Sequence, residues 1–129
     1  MPYEYRIDRD AHRIDVLAFG RSTFEEGCEA AERLVADPDF IPALPILCDA
    51  RRLEYLATYQ EALAYRDMFE RLRSSFRGPV AIVVEGTARY GVSRMVASLA
   101  QLAGVQVEAF RSIEDAEAWL ATHSALPPA

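Results

Sequence analysis

Lysine is absent from this chain. All fourteen basic side chains are arginines, a usage that fits the many alanines of a GC-rich coding sequence. Without lysine there can be no P-loop, no Schiff-base nucleophile and no lysine-dependent phosphoacceptor centre. Cysteine is scarce as well. Cys28 and Cys48 are the only two, and their spacing is not that of a CxxC pair, so buried reduced thiols are expected. The only histidines, His12 and His123, form no cluster with metal-ligand spacing and no credible Ser–His pair, so neither a metal nor a cofactor is implied. Long hydrophobic runs are missing too, which excludes a membrane-spanning helix. Met1 to Asp10 is charged, so no signal peptide is expected and a cytoplasmic location is the simplest reading.

What is present is ordinary for a globular protein. The chain has 129 residues, 51% hydrophobic and 26% charged, which suits one domain with a sizeable core. Residues 1–123 are read as that domain and 124–129, ending in Leu126-Pro127-Pro128-Ala129, as a flexible tail. The formal net charge is −6 with a pI near 4.9. Nucleic-acid binding depends on neutralising phosphates, so this balance argues against it.

Periodicity supplies the architecture. Tyr3, Tyr5 and Ile7 alternate with charged residues, and Ile14 to Ala18 follows a turn at Asp10-Ala11-His12, which predicts an antiparallel hairpin. Short apolar runs at Leu44–Cys48, Val80–Val84 and Val105–Phe110 suit strands covered on both faces. Helical patterns separate them. One opens at a Thr23/Glu26 capping box and runs to about Ala36, with Cys28 on its apolar face. The second opens at a Thr58/Glu61 box and carries apolar residues as far as Phe76. A third spans about Thr87 to Ala103 with Gly104 as its stop, and a last one, Ile113 to Thr122, follows Ser112. Prolines at 38, 42 and 45 break the first helix before the third strand. The predicted order is ββαβαβαβα, an α/β fold with a five-stranded, mostly parallel mixed sheet and an N-terminal β-hairpin. Right-handed crossovers should lay the parallel strands side by side in sequence.

This order, with Asp37-Pro38-Asp39-Phe40, Leu47-Cys48-Asp49-Ala50-Arg51, Val80-Ala81-Ile82-Val83-Val84, Tyr90-Gly91-Val92-Ser93-Arg94-Met95 and Phe110-Arg111-Ser112-Ile113-Glu114-Asp115-Ala116, resembles the anti-sigma-factor antagonist fold, also called the SpoIIAA or STAS fold. More narrowly, it resembles small bacterial STAS/SEC14-like proteins with no assigned activity. The resemblance implies a regulatory or protein-interaction module, and its SEC14-like branch implies a carrier for a lipid or other small apolar molecule. The antagonists carry a phosphorylatable serine in an Asp-Ser-Ser run where the helix after the third strand begins. The matching stretch here is Ala57-Thr58-Tyr59, which has neither the aspartate nor a serine. Thr58 could accept a phosphate there, favoured by the helix dipole, although its capping role already accounts for it.

Ligands of open parallel sheets sit beyond the carboxyl ends of the strands. Those ends carry Asp49, Arg51 and Arg52, then Glu85 and Thr87, then Arg111, with Arg89, Tyr90 and Arg94 opening the third helix. Such a rim could hold an anion or a partner's carboxylate through arginine forks, or simply pin its own loops by an Asp49–Arg pair. Arg66, Arg71, Arg73 and Arg77 crowd the end of the second helix and complement its dipole. Glu25, Glu26, Glu29 and Glu32 make a solvated acidic face. Tyr65 and Met68, with Tyr55 above them, are either the margin of the core or an exposed patch that docks a protein partner, including a second copy in a homodimer. Catalysis is the weakest reading, because only Asp49 and Glu85 are placed for acid–base work. A non-enzymatic regulatory or interaction module leads, and a small-ligand carrier is second.

Overall fold

The structure, a computed structural model, describes residues 2–124. The residues beyond Ser124 that were read as a tail lie outside the described part. The elements are β1 (Tyr3–Asp8), β2 (Arg13–Arg21), α1 (Phe24–Val35), β3 (Ile46–Glu54), α2 (Tyr59–Leu72), β4 (Val80–Val83), α3 (Thr87–Leu102), β5 (Val107–Phe110) and α4 (Ile113–His123). The five strands lie in the order β1-β2-β3-β4-β5. β1 is antiparallel to β2, and every later pairing is parallel. This is the mixed sheet with an N-terminal hairpin that the sequence predicts.

Handedness fixes the layers. Each crossover from β2 to β3, β3 to β4 and β4 to β5 steps in the same direction, so right-handed connections place α1, α2 and α3 on one face. Ile14, Ile46, Val80 and Val107 of the sheet accordingly pack with Leu34, Met68, Phe69, Val96 and Ala100 of those helices. The opposite face of the sheet, through Leu47, Ala81 and Val83, is covered by Ala116 and Leu120 of α4. The strict alternation of Val80, Ala81, Ile82 and Val83 between the two clusters is the period-two signature of a strand buried on both sides.

The helix starts follow local chemistry. Thr58 closes a full capping box: its hydroxyl accepts from Glu61 N at 3.1 Å, and Glu61 Oε1 accepts from Thr58 N at 3.0 Å. Thr23 accepts from Glu26 N at 3.2 Å, and Ser112 accepts from Asp115 N at 3.1 Å. The third helix starts at Thr87 as the pattern puts it, but by different chemistry. Thr87 is its first residue rather than its cap, and Gly86 caps it at φ 88° without a side-chain hydrogen bond. Only glycine takes that left-handed angle without cost, which is why the chain can turn so sharply out of β4.

Four boundaries also correct the sequence reading. β3 begins at Ile46 because Pro45 has no N–H to give to the ladder, although its carbonyl accepts from Ile14 N at 2.9 Å. β3 does not end with the apolar run at Cys48 but continues to Glu54, pairing with a β2 that itself extends to Arg21. Between Leu17 opposite Asp49 and Phe19 opposite Arg52, β3 carries one extra residue, a bulge that lets polar side chains occupy the end of a strand. β5 starts at Val107 rather than Val105, and α2 stops at Leu72, so Phe76 reaches the core from the loop that follows.

Candidate functional site

A mostly apolar hollow lies between the sheet and the α1–α3 layer, reaching toward the carboxyl edge of the strands. It is a cavity of about 230 Å³. Small side chains make the room: Ala18 and Ala50 on the sheet, Gly27 and Ala31 on α1. Ile82, Val84, Val92 and Val96 complete apolar walls, with Met68, Phe69 and Phe76 closing the inner end. Aromatic contacts join α1 to α2 and α2 to the loop that follows it. Phe24 meets the Tyr65 ring edge-on at 4.7 Å, and Phe69 meets Phe76 at 6.0 Å.

Polar groups gather at the outer end. Tyr3, Tyr55, Tyr65 and Arg89 all line the cavity. Tyr3 sits opposite Ala18 near the end of β2, and its hydroxyl accepts from Ser22 Oγ at 3.0 Å. Gly27 is what lets the phenols reach α1: a β-carbon there would stand 2.5 Å from the Tyr65 hydroxyl and 3.3 Å from that of Tyr3. The Tyr55 hydroxyl is buried with no hydrogen-bond partner. Glu61 and Tyr65 lie near enough to influence its proton affinity without completing that geometry. Burial is the main cause that pushes the phenols of Tyr3, Tyr55 and Tyr65 above the ordinary tyrosine value, with neighbouring acids and phenols adding to it. All three therefore stay protonated as hydrogen-bond donors. Arg89 is half-buried and takes part in no ion pair among the described residues.

The rim residues singled out in the sequence divide into separate groups. Asp49 and Arg51 close on each other: Arg51 Nε and Nη2 donate to the two carboxylate oxygens at 2.9 and 2.8 Å. The Arg51 amide also donates to Asp49 at 3.2 Å. This fork is the loop-pinning alternative, and it holds the Asp49 carboxyl below the ordinary carboxylate range. Asp49 lies with Leu47 and Ile113 on the α4 side of the sheet, away from the cavity. Tyr90 lies beneath Arg111, 4.2 Å from its ring centre, with Arg94 at 5.9 Å. Of the rim set, Arg89 alone lines the cavity.

Of the two alternatives for Tyr65 and Met68, the structure takes the core rather than the exposed patch. Met68 is 4% exposed and belongs to the core, and Tyr65 turns inward over Gly27. The two follow α2's inner face, and the sequence could not show how far α2 leans onto the sheet. Thr58 is exposed and engaged in its capping box. Sequence reasoning missed Tyr3, Tyr55 and Gly27 as one group. Their only shared signal is small residues facing large ones on elements the topology brings together. Among the described residues no group of histidine, cysteine, aspartate and glutamate could hold a metal, and no helix is long and apolar enough to cross a membrane.

No family model matches the chain, and no curated protein matches it by sequence. Its architecture does have a counterpart among solved structures. An uncharacterized protein from the DUF3478 family of Shewanella loihica PV-4, described as having a SpoIIAA-like fold, is similar with a TM-score of 0.60. The similarity covers 92% of this chain and 93% of that one at 22% identity. The chain thus has a SpoIIAA-like fold, as its sequence resemblance implies.

Cys48 gives the site a chemical handle. It lines the cavity and is partly exposed, so part of its surface faces the hollow. Burial, and then the charge of Asp49, push its thiol up to about 12. Burial also raises Cys28. A thiol raised in this way becomes a thiolate only as pH climbs toward the shifted value. At pH near 8 a disulfide reagent should therefore modify the folded protein slowly at both positions, and quickly at both in urea. Rapid modification of Cys48 in the folded protein at that pH would contradict its placement.

Proposed function

We propose that this protein is a non-enzymatic module that binds a small, mostly apolar molecule in the cavity between its sheet and the α1–α3 layer. The observation that carries this reading is the cavity itself. An engineered apolar cavity of about 150 Å³ accommodates benzene. By the same proportion, about 230 Å³ suits an occupant of about nine or ten heavy atoms. That favours a single short chain or a fused ring over a two-chain lipid. The scarcity of catalytic groups supports the absence of chemistry: Asp49 is engaged by Arg51 on the other face, and Glu85 is exposed.

Isotope-labelled protein titrated with indole or 1-octanol, each of about nine heavy atoms, tests this by NMR. Saturable shifts confined to Ile82, Val84, Val92 and Val96 are expected. No shift for either compound up to its solubility limit would refute the reading.

A second reading, a protein-interaction module, rests on Leu56 and Tyr59. They are 50% and 66% exposed and adjoin the start of α2, and Leu56 also lines the cavity. If this corner docks a second copy of the chain, Leu56→Asp with Tyr59→Asp should turn a dimer into a monomer in sedimentation. An unchanged mass would remove the corner as a homodimer contact.

A further inference from the structure

The outer end of the cavity is chemically unlike the rest of it. The inner end offers only hydrocarbon and aromatic surface, from Met68, Phe69 and Phe76. The outer end offers two groups whose hydrogen-bonding capacity is unused: the Tyr55 hydroxyl, buried without a partner, and the half-buried Arg89 guanidinium, which has no carboxylate partner among the described residues. An unsatisfied buried hydroxyl and an unpaired, partly desolvated guanidinium both carry a penalty that a suitable acceptor would remove.

The two reach the same cavity from two different elements. Tyr55 directly follows β3, which runs to Glu54 beyond the end of its pairing with β4 at Asp49–Val83, and Arg89 lies in the first turn of α3 after β4. Tyr65 brings a third polar group to the same end, where its hydroxyl overlies Gly27. Every one of these groups can donate. Arginine has no acceptor, and the phenols keep their protons. Glu61 lies close enough to Tyr55 to raise its proton affinity. Glu61 is committed to the Thr58 amide at 3.0 Å, and Glu26 acts on Tyr3 by charge alone.

Building on the cavity reading above, we propose that the occupant is a carboxylate-headed amphiphile of about ten heavy atoms, a medium-chain fatty acid or an arylalkanoate, whose head takes the Arg89 guanidinium and the phenol protons of Tyr55 and Tyr65. Its tail lies along Ile82, Val92 and Val96 toward Phe76. A carboxylate is the acceptor that best matches a guanidinium fork, and charge-assisted bonds of this kind are about twice as strong as neutral ones. Bringing the phenols close over Gly27 then has a purpose. They supply uncharged donors where a second cation would be too bulky and too costly to bury.

Calorimetric titration with sodium octanoate, 1-octanol and octylammonium tests the head group while holding the tail constant. Octanoate should bind the wild-type protein at least about tenfold more tightly than 1-octanol, and octylammonium should bind most weakly of the three. Arg89→Gln should weaken octanoate by about tenfold or more and leave 1-octanol unchanged, which also shows that the variant is folded with its cavity intact. Tyr55→Phe, which removes only the hydroxyl, should weaken octanoate severalfold. If 1-octanol binds as well as octanoate, or Arg89→Gln binds octanoate normally, the carboxylate assignment is overturned and the cavity reading stands. If none of the three compounds binds, both are overturned.

Discussion

The handedness of three successive crossovers governs this molecule. Because β2, β3, β4 and β5 are laid down in sequence, α1, α2 and α3 must share one face of the sheet, and α4 is left to cover the other. Three helices on one face can fill it only if their inner side chains are large enough. Toward the amino edge of the parallel strands they are: Leu34, Met68, Phe69, Phe76 and Val96 close onto Ile46 and Val80. Toward the carboxyl edge the facing residues shrink to Ala18, Ala50, Gly27 and Ala31, where Phe24 of α1 meets Tyr65 of α2 edge-on. The hollow follows from this mismatch of sizes.

The same sheet separates two kinds of polar chemistry. On the α4 side Asp49 and Arg51 satisfy each other, at the bulge that interrupts β3 between Asp49 and Arg52. On the helix-layer side the Tyr55 hydroxyl is buried without a partner, and Arg89 has no carboxylate partner among the described residues. A closed fork is structural and invites no ligand, whereas unmatched donors beside an apolar hollow do. The distinction lies in which face each residue takes, and a single residue of register decides it.

Much of the fold is legible in the sequence because its signals are local. The alternation around Val80–Val83, the caps at Thr23, Thr58 and Ser112, and the proline-led entry to the third strand all act within a few residues, and all are found where the pattern puts them. The charged end of β3 is illegible because its strand character comes from pairing with β2 rather than from its own residues. Met68 was left open between core and patch because periodicity gives the face of a helix but not its tilt. The cavity is the hardest feature to foresee. Apolar patterning says which side chains face inward, and nothing in it says whether they touch. Arg89 was picked out from its position at a strand exit. Tyr55 acquires meaning only once β1, α1 and α2 bring Tyr3, Gly27 and Tyr65 alongside.

The account depends on real space between the sheet and the α1–α3 layer, and filling that space tests it most directly. Ala50 is 6% exposed and lines the cavity, so Ala50→Leu places extra carbons into it. With the hollow present, urea unfolding should show stability unchanged or increased, together with loss of indole binding. A loss of about 1–3 kcal/mol, the usual cost of overpacking a filled core, with indole binding retained, would contradict the account.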